Sequence, residues 1–217
     1  MIGLFNFFLF VLGLIWGSFL NVVIFRWTSG QPLVNSRSHC LSCGKTLRWF
    51  ELVPLISFFL QGGRCRTCKA EFSWQYPIVE FLSAIAVLVS FQSLKIENSL
   101  EIGNWKLEIF KSLWLFILLS CFLVLFFIDW RERLLPIFFS LSAAAVTLAW
   151  KGYLAWSIGD ASLLWQSMVA GLIAASFFFA LWFFSQGRWM GLGDAYLVGV
   201  IGLVLGWPGT LTALLLA

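Results

Sequence analysis

Leu113-Trp114-Leu115-Phe116-Ile117-Leu118-Leu119-Ser120-Cys121-Phe122-Leu123-Val124-Leu125-Phe126-Phe127-Ile128-Asp129-Trp130-Arg131 runs through hydrocarbon side chains with one hydroxyl and no charge, then meets an acid, an indole and a base. A helix apolar on all sides has no face to offer water and belongs in a membrane or a deep core. Similar runs occur at about 2–25, 76–94, 134–150, 162–184 and 195–217. Together with 113–128 they predict an all-α polytopic bundle of about six transmembrane helices. Composition agrees: 61% of residues are hydrophobic and 11% charged, with a mean hydropathy of +0.93, whereas about a quarter of a soluble domain is charged.

The first run has no basic residue ahead of it and no small-residue cleavage site behind it, so it reads as a retained helix. Placing the segment after Arg26 in the cytoplasm puts ten of the fourteen Lys and Arg inside, and leaves Lys95, Lys106, Lys111 and Lys151 outside. The positive-inside bias favours that orientation, with the amino terminus outside. The +4 net charge flanks membrane spans and forms no continuous stripe, so it points to anionic lipid and away from nucleic acid. Three acids and three bases between Lys95 and Lys111 read as a solvated outer connection with a short helix around Trp105 to Phe110.

The predicted helix directions bring Asp129, at the end of the third helix, and Asp194, in Met190-Gly191-Leu192-Gly193-Asp194-Ala195-Tyr196, to the same cytoplasmic face. A lone carboxylate beside hydrocarbon is costly, and an ionisable residue there starts as a functional candidate. Two carboxyls within a few Å share one proton and can hold and polarise a water, the chemistry of peptide hydrolysis. Gly191 and Gly193 allow close backbone approach to a substrate strand. Each acid also has a plain reading, Asp129 in an ion pair with Arg131 or Arg133 and Asp194 as the N-cap of the last helix. Glu80 is a third acid at membrane depth, suited to tuning the pair, binding a substrate amine or snorkelling to water.

Residues 27–75 form the one sizeable polar insertion and hold Cys40-Leu41-Ser42-Cys43 and Cys65-Arg66-Thr67-Cys68, twenty-one residues apart. Two C-x2-C knuckles at this spacing are the usual layout of a closed, structural four-thiolate zinc site formed by Cys40, Cys43, Cys65 and Cys68. Redox-active dithiols are the alternative, and cytoplasmic placement disfavours structural disulfides. His39 is a polar loop residue in this reading, and Cys121 an apolar packing residue. Phe50 to Leu60 is apolar, too short to span and interrupted by Pro54, so it lies along the membrane surface or against the bundle. Gln61-Gly62-Gly63-Arg64 is a turn, or a contact for a small anionic ligand or a cofactor. The resulting divisions are 1–26, a first transmembrane helix; 27–75, the zinc loop domain; and 76–217, the peptidase bundle.

Taken in order, Gly17-Ser18-Phe19-Leu20-Asn21-Val22-Val23-Ile24-Phe25-Arg26, both knuckles, Tyr76-Pro77-Ile78-Val79-Glu80, Ile128-Asp129 with Leu134-Leu135-Pro136, and Gly191-Leu192-Gly193-Asp194 make the chain resemble the bacterial type IV prepilin peptidases. These are membrane aspartyl proteases of the GxGD class. The resemblance implies removal of the basic leader from type IV prepilins and type II pseudopilins at the cytoplasmic face of the inner membrane. In bifunctional members the new amino terminus is then N-methylated from S-adenosylmethionine. It implies Asp129 and Asp194 as the catalytic pair, a zinc-associated cysteine loop, and Gly63 with Arg64 aligned to a Gly-Lys pair linked to methyl transfer. Ile137 stands where an Asp is common, Tyr196 where many members have Lys, and Arg64 replaces the Lys. Members usually carry further helices, so ending at Leu214-Leu215-Leu216-Ala217 reads as a compact variant or a shortened sequence.

Overall fold

The computed structural model describes residues 2–32, 37–96 and 105–216, so residues 97–104 of the predicted outer connection lie outside the described residues. Two compact units divide the chain, Met1–Leu100 and Glu101–Ala217. Among the described residues the regular structure is helical, accompanied by two isolated β-bridges, His39 with Thr46 and Arg64 with Glu71.

The first unit is a helix pair, α1 (Ile2–Ser29) and α3 (Gln75–Ile96), with the cysteine loop between them. Gly13 and Gly17 lie one turn apart on one stripe of α1. A Cβ at Gly13 would stand 2.5 Å from Ala84 Cα, and one at Gly17 would stand 2.5 Å from Glu80 Cα. Two backbones this close gain dispersion contacts that lipid chains cannot match, the small-xxx-small mode of membrane helix association. The Asn21 side-chain amide adds a hydrogen bond to the Tyr76 carbonyl at 3.0 Å, and the Phe25 and Tyr76 rings stack at 4.8 Å. Within the loop, a 3₁₀ turn at Trp49–Glu51 leads through Pro54 into a single helical turn, α2 (Ile56–Leu60). Phe58 of α2 is buried against the Trp74 ring, with centroids 5.1 Å apart.

The second unit holds α4 (Trp105–Glu132), α5 (Ile137–Ile158), α6 (Ser162–Ser185), α7 (Leu192–Leu205) and α8 (Gly209–Leu216). Leu118 and Cys121 of α4, Ala143 of α5 and Val200 of α7 form its buried core cluster, so Cys121 is a packing residue. The α6 and α7 helices meet through glycine: a Cβ on Gly202 would stand 2.7 Å from Gly171 Cα. The helix expected around Trp105 to Phe110 is the first part of α4, whose 28 residues extend roughly 42 Å and overrun the bilayer core.

Among the described residues five helices, α1, α3, α4, α5 and α6, are long and apolar enough to cross a membrane. The sixth predicted span, 195–217, is broken into α7 and α8. Gly206 has φ +65° and donates its N–H to the Gly202 carbonyl at 2.9 Å, while Pro208 has no N–H to continue the ladder. At 14 residues, α7 is roughly 21 Å long, less than the core thickness. Hydropathy averages through such a break because Gly, Trp and Pro do not make the run polar.

Candidate functional site

Short connections at 133–136, 159–161 and 186–191 reverse the chain between α4, α5, α6 and α7, so the end of α4 and the start of α7 share one end of the second unit. Asp129 lies in the last turn of α4 and is exposed; its main-chain carbonyl accepts the Arg133 N–H at 2.8 Å. The alternative reading of Asp129, an ion pair with Arg131 or Arg133, is not met: Arg131 Nε contacts Glu132 Oε1 at 3.1 Å, and among the described residues no cation reaches the Asp129 carboxylate.

Asp194 occupies the third position of α7, and Gly191 is the N-cap. The carboxylate reaches back to accept the Gly191 N–H on Oδ2 at 3.1 Å, satisfying a donor that the helix start leaves open. The plain capping role therefore holds, shifted three residues from the N-cap position. It occupies one carboxylate oxygen; among the described residues no donor reaches Oδ1.

Gly193 sets the depth at which α7 begins. A Cβ there would stand 2.6 Å from Leu135 Cβ, so the backbone that carries Asp194 lies directly on the linker that begins four residues after Asp129. A methyl at this position must displace the Leu135 side chain at its root. Gly193→Ala should cost about 1–3 kcal/mol through overpacking, seen as a lower thermal midpoint in detergent. Gly3→Ala, with nothing within 4 Å, is the control that should not lower it.

Cys40, Cys43, Cys65 and Cys68 come together, their four sulfurs all within 4.8 Å of one another. Cys40 Sγ and Cys68 Sγ are 3.7 Å apart, close to the roughly 3.8 Å edge of a tetrahedron with metal–sulfur bonds of about 2.3 Å. The knuckles repeat one another. Gly44 N–H bonds Cys40 O at 2.9 Å as Lys69 N–H bonds Cys65 O at 3.0 Å, and Leu47 closes on Ser38 at 2.8 Å as Phe72 closes on Gly63 at 2.7 Å. His39 lies outside the cluster, its Nδ1 3.2 Å from the Arg37 carbonyl.

Backbone N–H groups of Cys68 and Thr67 aimed at its sulfur lower the Cys65 thiol to about 6. The Ala70 N–H favours the Cys68 thiolate, but burial and the three neighbouring thiols prevail and push it up to about 11. Four sulfurs this close do not all ionise without a cation between them, which is the donor set a divalent metal completes.

Gly44 supplies the left-handed residue of the first knuckle at φ +71°, and Lys69 takes the equivalent place in the second at φ +60°. A side chain in that region costs about 1–2 kcal/mol, partly offset by the entropy that a glycine loses on folding. Lys69→Gly should therefore stabilise the second knuckle by about 0.5 kcal/mol, measured as slower loss of bound metal to a chelator.

Glu80 is buried and accepts the Leu55 N–H on Oε2 at 2.8 Å. It ties the loop to α3 at a strained point, since Leu55 has φ +58°. Gly63 and Arg64 sit in the turn entering the second knuckle; Arg64 Nη2 pairs with Glu71 at 2.9 Å on the surface. An open depression beside them is lined by Leu60, Gln61, Arg64, Cys65, Arg66 and Lys69. Sequence reading missed the Gly13–Gly17 stripe, which a G-x-x-x-G in an apolar helix would have signalled, and the Glu80–Leu55 contact, which has no sequence signal.

Apolar spans, a clustered set of four cysteines and two acids at one helix-bundle end define a multi-pass helical membrane protein with a four-cysteine cluster in a loop that could hold a metal. Residues 11–94 match the bacterial peptidase A24 N-terminal domain, and residues 116–217 match the type IV leader peptidase family. A Myxococcus xanthus protein named prepilin leader peptidase/N-methyltransferase is 35% identical over 99% of this chain and 60% of its own length. A Klebsiella pneumoniae protein of the same name is 31% identical over 97% of this chain and 89% of its own. An Escherichia coli type 4 prepilin-like proteins leader peptide-processing enzyme is 31% identical, covering 92% and 76%. The chain belongs to the type IV leader peptidase family. No solved structure matches it.

Proposed function

We propose that the chain is an aspartic endopeptidase that removes the leader from type IV prepilins and type II pseudopilins, with Asp129 and Asp194 as its catalytic pair. The observation that carries this reading is the seating of Gly193 on Leu135, which ties the helix start bearing Asp194 to the turn that follows Asp129. In the proposed reaction the two carboxyls share one proton. The ionised partner takes a proton from water as the oxygen attacks the scissile carbonyl. The protonated partner gives its proton to the carbonyl oxygen and, as the tetrahedral intermediate collapses, the departing amine is protonated in turn. Gly191, extended at φ −77° and ψ 153°, presents its backbone to the substrate strand, and Gly193, seated on Leu135, fixes where that backbone lies. Glu80 acts as a backbone-positioning residue within the first unit, holding the cysteine loop through the Leu55 N–H. The site faces the cytoplasm at the inner membrane, in the peptidase bundle 76–217, with residues 1–26 as the first membrane helix and 27–75 as the zinc loop domain.

In this reading Cys40, Cys43, Cys65 and Cys68 hold a structural Zn2+, which supplies a cross-link with no open coordination position. A second activity, N-methylation of the new amino terminus, is favoured by the names of the relatives. The depression beside Gly63 and Arg64 does not by itself fit S-adenosylmethionine: Arg64, Arg66 and Lys69 face it, and no carboxylate lines it to meet the sulfonium and ammonium charges.

Incubation of the lipid-reconstituted chain with a prepilin, followed by mass measurement of the product, tests both activities. The expected product lacks the leader through its terminal glycine and carries one added methyl when the methyl donor is supplied. An uncut prepilin refutes the peptidase reading, and a cut but unmethylated one restricts the chain to proteolysis.

A further inference from the structure

α2 and the residues around it leave a set of large side chains outside the core. Phe58 faces inward against Trp74, while Ile56, Phe59 and Leu60 are 59%, 63% and 76% exposed, and Trp49 and Trp74 are 80% and 64% exposed. A water-facing loop has no reason to spend five large apolar residues this way, and such patches mark an interaction surface.

The depth of α2 is fixed by its neighbours. Leu55, immediately before α2, donates its N–H to Glu80, five residues into α3, whose apolar span begins at Gln75. At 1.5 Å per residue this sets the start of α2 roughly 7 Å along the span, within the 5–10 Å depth at which interfacial helices bury their apolar face. Both ends of the loop are tethered to spans, α1 and α3, so the bilayer is always within reach.

Charge supplies the second argument. Residues 37–75 carry six Lys and Arg against two Glu. The acids are already matched, Glu51 by Lys45 at 3.8 Å and Glu71 by Arg64 at 2.9 Å. Arg37, Arg48, Arg66 and Lys69 remain solvent-facing. Arg48 and Arg66 lie over the Phe50 ring, 6.0 and 5.2 Å from its centroid. Arg66 and Lys69 line the same depression as Leu60, which sets cations beside the apolar patch. A four-thiolate Zn2+ centre carries about −2, and the loop stays net positive with it in place.

We propose that α2 is an interfacial wedge: Ile56, Phe59 and Leu60 enter the acyl-chain boundary of the leaflet on the loop's side, and Arg48, Arg66 and Lys69 engage anionic lipid headgroups. The cysteine knuckles are thereby seated on the membrane surface. The proposal rests on the spanning of α1 and α3 and is independent of the peptidase chemistry.

The test uses the full chain in nanodiscs of phosphatidylcholine, with or without 30% phosphatidylglycerol. A benzophenone amino acid at the exposed Phe59 or Leu60 position should form adducts of lipid mass on illumination. Amide exchange of residues 56–61 in the unsubstituted chain should be at least about fivefold slower with phosphatidylglycerol, and this difference should vanish in 0.5 M salt, where charge attraction is screened. Adducts to protein alone, whether the same chain or a second copy, overturn the wedge. Equal exchange in the two lipids overturns the headgroup contact.

Discussion

Asp129→Asn and Asp194→Asn are each expected to abolish prepilin cleavage while the protein continues to accumulate in the membrane. Amide for carboxylate removes the acid–base function and almost nothing else. At Asp129 the side chain is exposed and no cation reaches it among the described residues, so no ion pair is lost. At Asp194 the asparagine carbonyl can still accept the Gly191 N–H that the carboxylate accepts at 3.1 Å, so the start of α7 keeps its cap. Loss of one general acid–base group costs about 10²–10⁴-fold in rate, and loss of the shared-proton pair brings cleavage to background. The measurement is the rate of leader removal in membranes containing equal amounts of each variant. Cleavage at the unsubstituted rate by either variant excludes the pair. A chain that binds prepilin without cutting it, with Asp194 serving only as a cap, is the competing outcome: the unsubstituted protein is then already inactive and both variants bind equally.

Removal of the metal has the second large effect. The protein should carry one zinc per chain, and Cys65→Ser or prolonged chelation should remove it, with collapse of amide protection across residues 37–75. Structural zinc in small modules contributes about 10–16 kcal/mol of apparent binding energy, comparable to the whole stability of a domain. The loop has little to replace it: among its described residues Phe58, Cys40 and Cys65 are the buried apolar ones, and two of those belong to the cysteine cluster itself. The α1–α3 pair should keep its protection, because the contacts of Gly13 and Gly17 with α3 do not involve the metal. Metal analysis under reducing conditions, with exchange measured in parallel, checks both statements. One tightly held zinc excludes the dithiol redox reading, and a metal-free chain with reversible thiol oxidation establishes it.

The sequence was sufficient for features that depend on local composition or fixed spacing. Apolar runs specify membrane helices because lipid cannot satisfy backbone polar groups and only a helix does so within one segment. Two C-x2-C knuckles specify a cluster of four sulfurs that could hold a metal, because each folds on its own local hydrogen bonds, with matching patterns at Cys40 and Cys65. The break at Gly206 to Pro208 was present in the residue types but invisible to hydropathy, which scores side chains and not ladder donors.

Other features arise only when distant segments meet. Glu80 could be read from sequence as an acid at membrane depth, but its bond to Leu55, twenty-five residues away, depends on how the loop folds back. Asp194 could be read as a cap or as a catalyst; the structure supplies the contact of Gly193 with Leu135, a proximity across 58 residues that no local pattern encodes. The sequence by itself determined the helical membrane class and the four-cysteine cluster, because burial of apolar surface and cysteine spacing act over a few residues. Only the tertiary structure decided where α7 starts, how α2 is held and which side chains remain outside, because these depend on segments distant in sequence meeting: Gly193 on Leu135, where a single Cβ would not fit, and the Leu55 N–H on Glu80.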